Sequence, residues 1–260
     1  MNNALKIFKK EAREVLRNKN IWLPTLAVSL IFSIVMPLAI MMFADIGDEQ
    51  AREFVTNIFG EGANIPVAMI EFMLRQFIVF LLLIPAMVPS LIAPASIIME
   101  KDSRTLEPLL ATPIKTSELL LGKTLTSLIP SFAISTLNFI ILSININIIA
   151  YVRVGILPLP NIEWLVAAFI LSPAISFIIT ILSIIFSSKT TDVRAAQGIG
   201  STIIFPIYLI IGLQVAGLFL INYLYLFIGC IVIIGVCPLL LRIAVRTFDR
   251  ENILTRWKMK

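Results

Sequence analysis

Apolar residues in this chain run in long uncharged blocks and do not alternate with polar ones. The stretches 21–43, 76–99, 124–152 and 164–188 contain no Asp, Glu, Lys or Arg. A further stretch, 195–241, stays uncharged for about twice the length that one membrane helix needs, with Asn222, Tyr223 and Tyr225 near its middle. Crossing about 30 Å of hydrocarbon takes roughly 20 apolar residues as an α-helix, and only helices or closed barrels satisfy every backbone hydrogen bond there. Period-two alternation is absent, which decides for helices. The pattern predicts an all-α membrane protein with six transmembrane helices, at 21–43, 76–99, 124–150, 164–188, 198–221 and 223–241. The last two are joined by a tight turn, and the whole forms one transmembrane domain over 1–260.

Charge orients the blocks. Lysine and arginine in short flanking loops mark the cytoplasmic side. Of the 21 such residues, only Arg52, Arg75 and Arg153 fall opposite the N-terminal arm, the loops after the second and fourth spans, and the tail 242–260. Both termini are expected in the cytoplasm of a multi-pass cell-membrane protein, which requires an even number of spans. The net charge of +5 is this asymmetry; membrane lipid is the partner it favours, and no nucleic acid is expected. In the arm 1–20, Leu5, Phe8, Ala12, Val15 and Leu16 form one apolar stripe with basic residues around it, the pattern of an interfacial helix along the inner leaflet. The outer segment 44–75 carries six acidic residues. Its Ala51, Phe54, Val55, Ile58 and Phe59 recur at helical spacing, as a cap over an exit or as ordinary surface packing. The first block is too long for a cleaved signal and is expected to remain as an anchor.

Composition narrows the chemistry. Hydrophobic residues make up 58% of the chain and charged residues 14%, against about a quarter charged in soluble domains; the mean hydropathy is +0.97. There is no histidine, which removes the commonest general base and metal ligand and argues against a metalloprotease. Cys230 and Cys237 share one helix face, too far apart to pair, and read as small packing residues. No catalytic or metal site is expected. Carriers driven by ion gradients keep a costly ionisable group inside their spans, and none lies in these. The polar residues there are of the kind of Ser131, Asn138, Ser172 and Thr202, which bond across helices more often than they conduct. Pro85, Pro89 and Pro94 each remove a helical hydrogen bond from the second span, which makes them a candidate hinge, with tolerated packing as the plainer alternative.

The stretch SELLLGKT, 117–124, ends like a phosphate-binding loop, G-x-x-x-x-G-K-[ST]. Ser117 stands where the first glycine belongs, and the segment leads into an apolar block, so nucleotide binding is not expected here. The loop 100–123 carries other signals. Thr105 can cap a helix beginning at Leu106, Pro108 falls in its first turn, and Thr112-Pro113 stops it. Leu106, Leu109 and Leu110 line one side with Glu107 beside them. About two turns are not stable alone, so the element docks either on the protein's own helix ends or in a groove of another protein.

The run Glu100-Lys101, Thr105-Leu106-Glu107, Leu109 to Ile114 (through Leu110 and Pro113), Glu118-Leu119 and Leu121-Gly122-Lys123 resembles the signature loop of the type-2 family of ABC transporter permeases, the membrane subunits of sodium, drug and polysaccharide exporters. FDRENILTR, 248–256, is similar to the ends of many exporter-type members. Many members carry glycine where this chain has Arg104. The resemblance implies that ATP and magnesium are bound by a separate cytosolic P-loop ATPase subunit, present in two copies. A second permease subunit, identical or different, would complete the pathway, and this chain would hold no cofactor and not itself be an enzyme. It also implies that Leu106, Glu107, Leu109 and Leu110 contact the ATPase, Gly122 allows close approach or a bend, and Lys123 anchors the interface. An autonomous carrier or channel, and an assembly factor without transport, are the rival readings.

Overall fold

Each apolar block becomes a helix. The computed structural model describes residues 8–10, 12–13, 19–38, 56, 60, 64–102, 116–187, 195, 198, 202–215 and 223–247. Helix α1, Lys19–Leu30, continues through the π-helical turn Ile31–Val35. It is followed by α2, Ile65–Asp102, and α3, Thr116–Val154. Helix α4, Ile162–Ser187, contains the π-helical turn Ala167–Leu171; α5 is Phe205–Val215 and α6 is Tyr223–Thr247. Four of them, α2, α3, α4 and α6, are long and apolar enough to cross a membrane, and α1 and α5 are shorter apolar helices.

Helix α2 is the hub. It packs against α3, α4, α1 and α5, and 78% of its apolar window is buried, against 11% for α6, which packs chiefly on α4. The main core gathers Phe77, Leu81, Phe139, Leu142, Trp164 and Leu171. The Phe139 ring meets Phe169 edge-on at 5.8 Å and lies 6.4 Å from Trp164. A second cluster, at the end of the bundle nearest 103–115, joins Leu119 and Leu120 of α3 to Ile181 and Ile184 of α4, Ala93 of α2 and Ala244 of α6. The outer face is dressed with exposed Ile140, Ile144, Ile148, Ile231 and Leu239, a surface suited to lipid and not to water.

Helices α2 and α3 outrun the predicted spans most, and α6 runs on to Thr247, past 241. α2 begins at Ile65, not at 76, and α3 begins at Thr116, not at 124. At 38 and 39 residues each is longer than about 20 residues of hydrocarbon require. The extra turns are helical but charged, with Arg75 donating to Glu71 one turn back, so a reading by hydropathy stops short of them. In the arm, Lys9, Lys10 and Arg13 are exposed while Phe8 and Ala12 are half-buried. The turn between α5 and α6, the outer stripe of Ala51, Phe54, Val55, Ile58 and Phe59, and the tail 248–256 lie outside the described residues.

Candidate functional site: a polar seam along α3

Of the residues singled out from the sequence, Thr105, Leu106, Glu107, Leu109, Leu110 and Pro113 lie outside the described residues. Glu100 sits in the last turn of α2. Gly122 and Lys123 lie inside α3, well past its start at Thr116. Their backbone N–H groups are already engaged in the helix, and Thr126 Oγ1 donates to the Gly122 carbonyl at 3.0 Å. A phosphate-binding loop needs free amides at the mouth of a helix, so the Gly-Lys-Thr triplet cannot serve as one. Lys123 is 2% exposed, with its Nζ donating to Ser96 Oγ of α2 at 3.1 Å.

A buried polar stripe climbs α3 from there: Thr124, Ser127, Ser131, Ser135 and Asn138 recur at three- and four-residue steps and so share one face. A matching stripe on α4, Ser172, Ser176, Thr180 and Ser183, is also buried. Ser131 Oγ and Ser176 Oγ are 2.7 Å apart, and Ser172 donates to Ser135 Oγ at 2.7 Å. Small hydroxyl residues let two helices approach closely and bond across. That role was expected of Ser131, Asn138 and Ser172, and all three fill it; Thr202 instead bonds back to the Gly198 carbonyl at 3.0 Å. Cys237 Sγ reaches the Ala174 carbonyl at 3.9 Å, and Cys230 is buried in the core, both thiols free.

The seam answers a problem set by proline. A proline lacks the N–H that would bond the carbonyl four residues back, and its ring crowds that carbonyl. Pro89 thus frees the carbonyl of Pro85. Ser176 Oγ lies 2.9 Å from this oxygen and Ser131 Oγ 3.3 Å, each with its hydroxyl able to donate. Pro37 in the same way frees the carbonyl of Ser33, and Asn145 Nδ2 of α3 donates to it at 2.8 Å. Ser33 Oγ also donates to Asn138 Oδ1. Both π-helical turns stand just before a proline, Pro37 and Pro173, where widening the helix by one residue relieves the crowding. With the carbonyl freed by Pro89 occupied, α2 runs on through the buried Pro85, Pro89 and Pro94. Side chains of neighbouring helices restore such carbonyls inside membranes.

Two more amides pin the periphery. Gln76 Nε2 donates to the Gln214 carbonyl at 3.1 Å, and Gln214 Nε2 to the Arg75 carbonyl at 3.2 Å, tying α5 to α2. Asn147 both donates to the Leu159 carbonyl and accepts from its N–H, holding the connection between α3 and α4. Sequence reasoning named none of Ser33, Asn145, Ser176, Gln76 or Gln214. For Asn145 and Ser176 the recoverable signal was a carbonyl freed by Pro37 or Pro89 with polar residues at helical spacing on another span; Gln76 and Gln214 gave none.

No curated protein matches the chain. Residues 5–251 match the family model described as ABC-2 family transporter protein, which spans nearly all of the chain, the polar seam and the loop beside it included. An all-helical bundle with long apolar helices and a match of this extent lead to one conclusion: this chain belongs to the ABC-2 family of transporter proteins, as a membrane-embedded permease.

Proposed function

We propose that this chain is the permease subunit of an ATP-driven exporter in the cell membrane, with six spans and both termini in the cytoplasm. Two permease subunits would enclose the pathway, and two copies of a separate cytosolic ATPase, carrying ATP and magnesium, would drive it. The observation that carries this reading is where the loop hangs: 103–115 joins the end of α2, the buried hub, to the start of α3, which bears the polar seam. A push delivered there reaches both helices, and through them α1, α4 and α5, at once. In this reading Leu106, Leu109 and Leu110 fill a groove on the ATPase, Glu107 borders it, and Glu100, Thr105 and Pro113 set the loop's ends. Pro85, Pro89 and Pro94 place the bend in the helix that receives the push. ATP would bias the bundle between two packings only as far as it binds one better than the other.

The test is reconstitution with the cognate ATPase. Leu109→Asp, which puts a charge on the apolar side of the loop helix, is expected to leave membrane insertion intact while transport and transport-stimulated ATP hydrolysis fall together. Undiminished transport by that variant, or uphill transport by this chain without a second protein, would overturn the assignment.

A further inference from the structure

Two hydroxyls at the centre of the seam have more acceptors than protons. Ser176 Oγ lies 2.9 Å from the Pro85 carbonyl of α2 and 2.9 Å from the Ser172 carbonyl of its own helix. Ser131 Oγ lies 2.7 Å from Ser176 Oγ and 3.3 Å from the Pro85 carbonyl. Each serine has one proton to give. Sorted by which serine alone closes the Pro85 carbonyl, the complete arrangements fall into two sets. In the first, Ser131 donates to Ser176, and Ser176 donates to Pro85, so that α2 is held by α4. In the second, Ser176 turns to Ser172 or to Ser131, and Ser131 donates to Pro85, so that α2 is held by α3. Both protons and the carbonyl freed by Pro89 are satisfied either way. The 3.3 Å separation is long for a hydroxyl donor, so the conformation seen here favours the first.

We propose that Ser131 and Ser176 form a relay through which α2 exchanges α4 for α3 as its partner while bending at Pro89. A proline bend in a purely apolar seam would expose the Pro85 carbonyl with no water to receive it, at the full penalty of an unpaired buried group. The relay replaces that penalty with the rotation of two hydroxyls. It supplies what a switch requires, two packings that each leave the Pro85 carbonyl paired and that a distant push can bias. The proposal rests on the permease reading only for what uses the motion.

The experiment uses the full chain in lipid nanodiscs, with Cys230 and Cys237 replaced by alanine and spin labels introduced through Asp102→Cys on α2 and Phe186→Cys on α4. Labelled chain is diluted with unlabelled chain, and the distance distribution is read by pulsed electron paramagnetic resonance. Ser176→Ala leaves only the second arrangement, so the longer α2 to α4 distances gain weight. Ser131→Ala leaves only the first, and the distribution narrows onto the shorter distances. Pro89→Ala returns an N–H to the Pro85 carbonyl, and in that background neither serine substitution changes the distribution. Shifts in the same direction, no shift, or serine effects that persist beside Pro89→Ala would each overturn the relay. Should Ser176→Ala not insert, the pair Ser131→Ala and Ser131→Ala with Pro89→Ala decides the matter. No ATPase is present, so a failed relay leaves the coupling loop standing, and a failed coupling test leaves the relay standing.

Discussion

Replacing Gln214 by leucine is expected to cost little, although its amide makes a bond of 3.2 Å from one helix to another. The reason lies in what the change leaves behind. The Gln214 amide donates to the carbonyl of Arg75, which sits inside the continuous α2 and keeps its helical donor, so Gln214→Leu removes a second bond from an acceptor already paired. Interhelical hydrogen bonds of this kind in membranes average about 0.6 kcal/mol. Leucine has nearly the volume of glutamine, so the change opens no large cavity. Unfolding of the chain in bicelles, followed by steric trapping, reads the value. A loss of about 1–3 kcal/mol, the cost of a buried carbonyl stripped of every donor, would refute the reasoning.

Two further expectations rest on the seam. Asn145→Leu leaves the carbonyl freed by Pro37 without its donor and is expected to destabilise the docking of α1 by about 1–3 kcal/mol, seen as faster hydrogen exchange in α1 with α2 unaffected; uniform exchange across the bundle would contradict it. Lys123→Met removes a buried ammonium together with its desolvation cost, so thermal unfolding in detergent is expected to shift by no more than about 1 kcal/mol. Ser96→Ala, which takes one acceptor away from that ammonium, is expected to cost more; the opposite order would show that the charge is strongly favourable where it lies.

The helices were legible because a bilayer leaves the chain few choices. Hydrocarbon thickness sets how long an apolar block must be, and the absence of water forces it to be helical. The blocks that α1 to α6 occupy could therefore be found one at a time, with no knowledge of their neighbours. The bland reading of Ser131, Asn138 and Ser172 as cross-helix bonds held for a related reason, since pairing avoids the cost of an unbonded buried polar group, a cost that Ser127 and Ser183 of the same stripes bear. Legibility ended where charge began: Glu71, Arg75 and Glu118 interrupt the hydropathy but not the helix, and α2 and α3 continue through them. Of the candidate site, the loop motif could be read as a pattern of residues, whereas the serines and asparagines that hold the bundle together gave no motif at all.

By itself the sequence determined that this is an oily helical bundle of the ABC-2 type with one chemically loaded loop, because length, hydropathy and a local motif are properties of contiguous residues. Only the tertiary structure decided that α2 is the hub, that Lys123 is buried against Ser96, and that the carbonyls released by Pro37 and Pro89 are answered from α3 and α4. A proline announces in sequence that a carbonyl will be left open; which side chain closes it depends on the register between helices about 50 to 110 positions apart, and that register exists only once they pack.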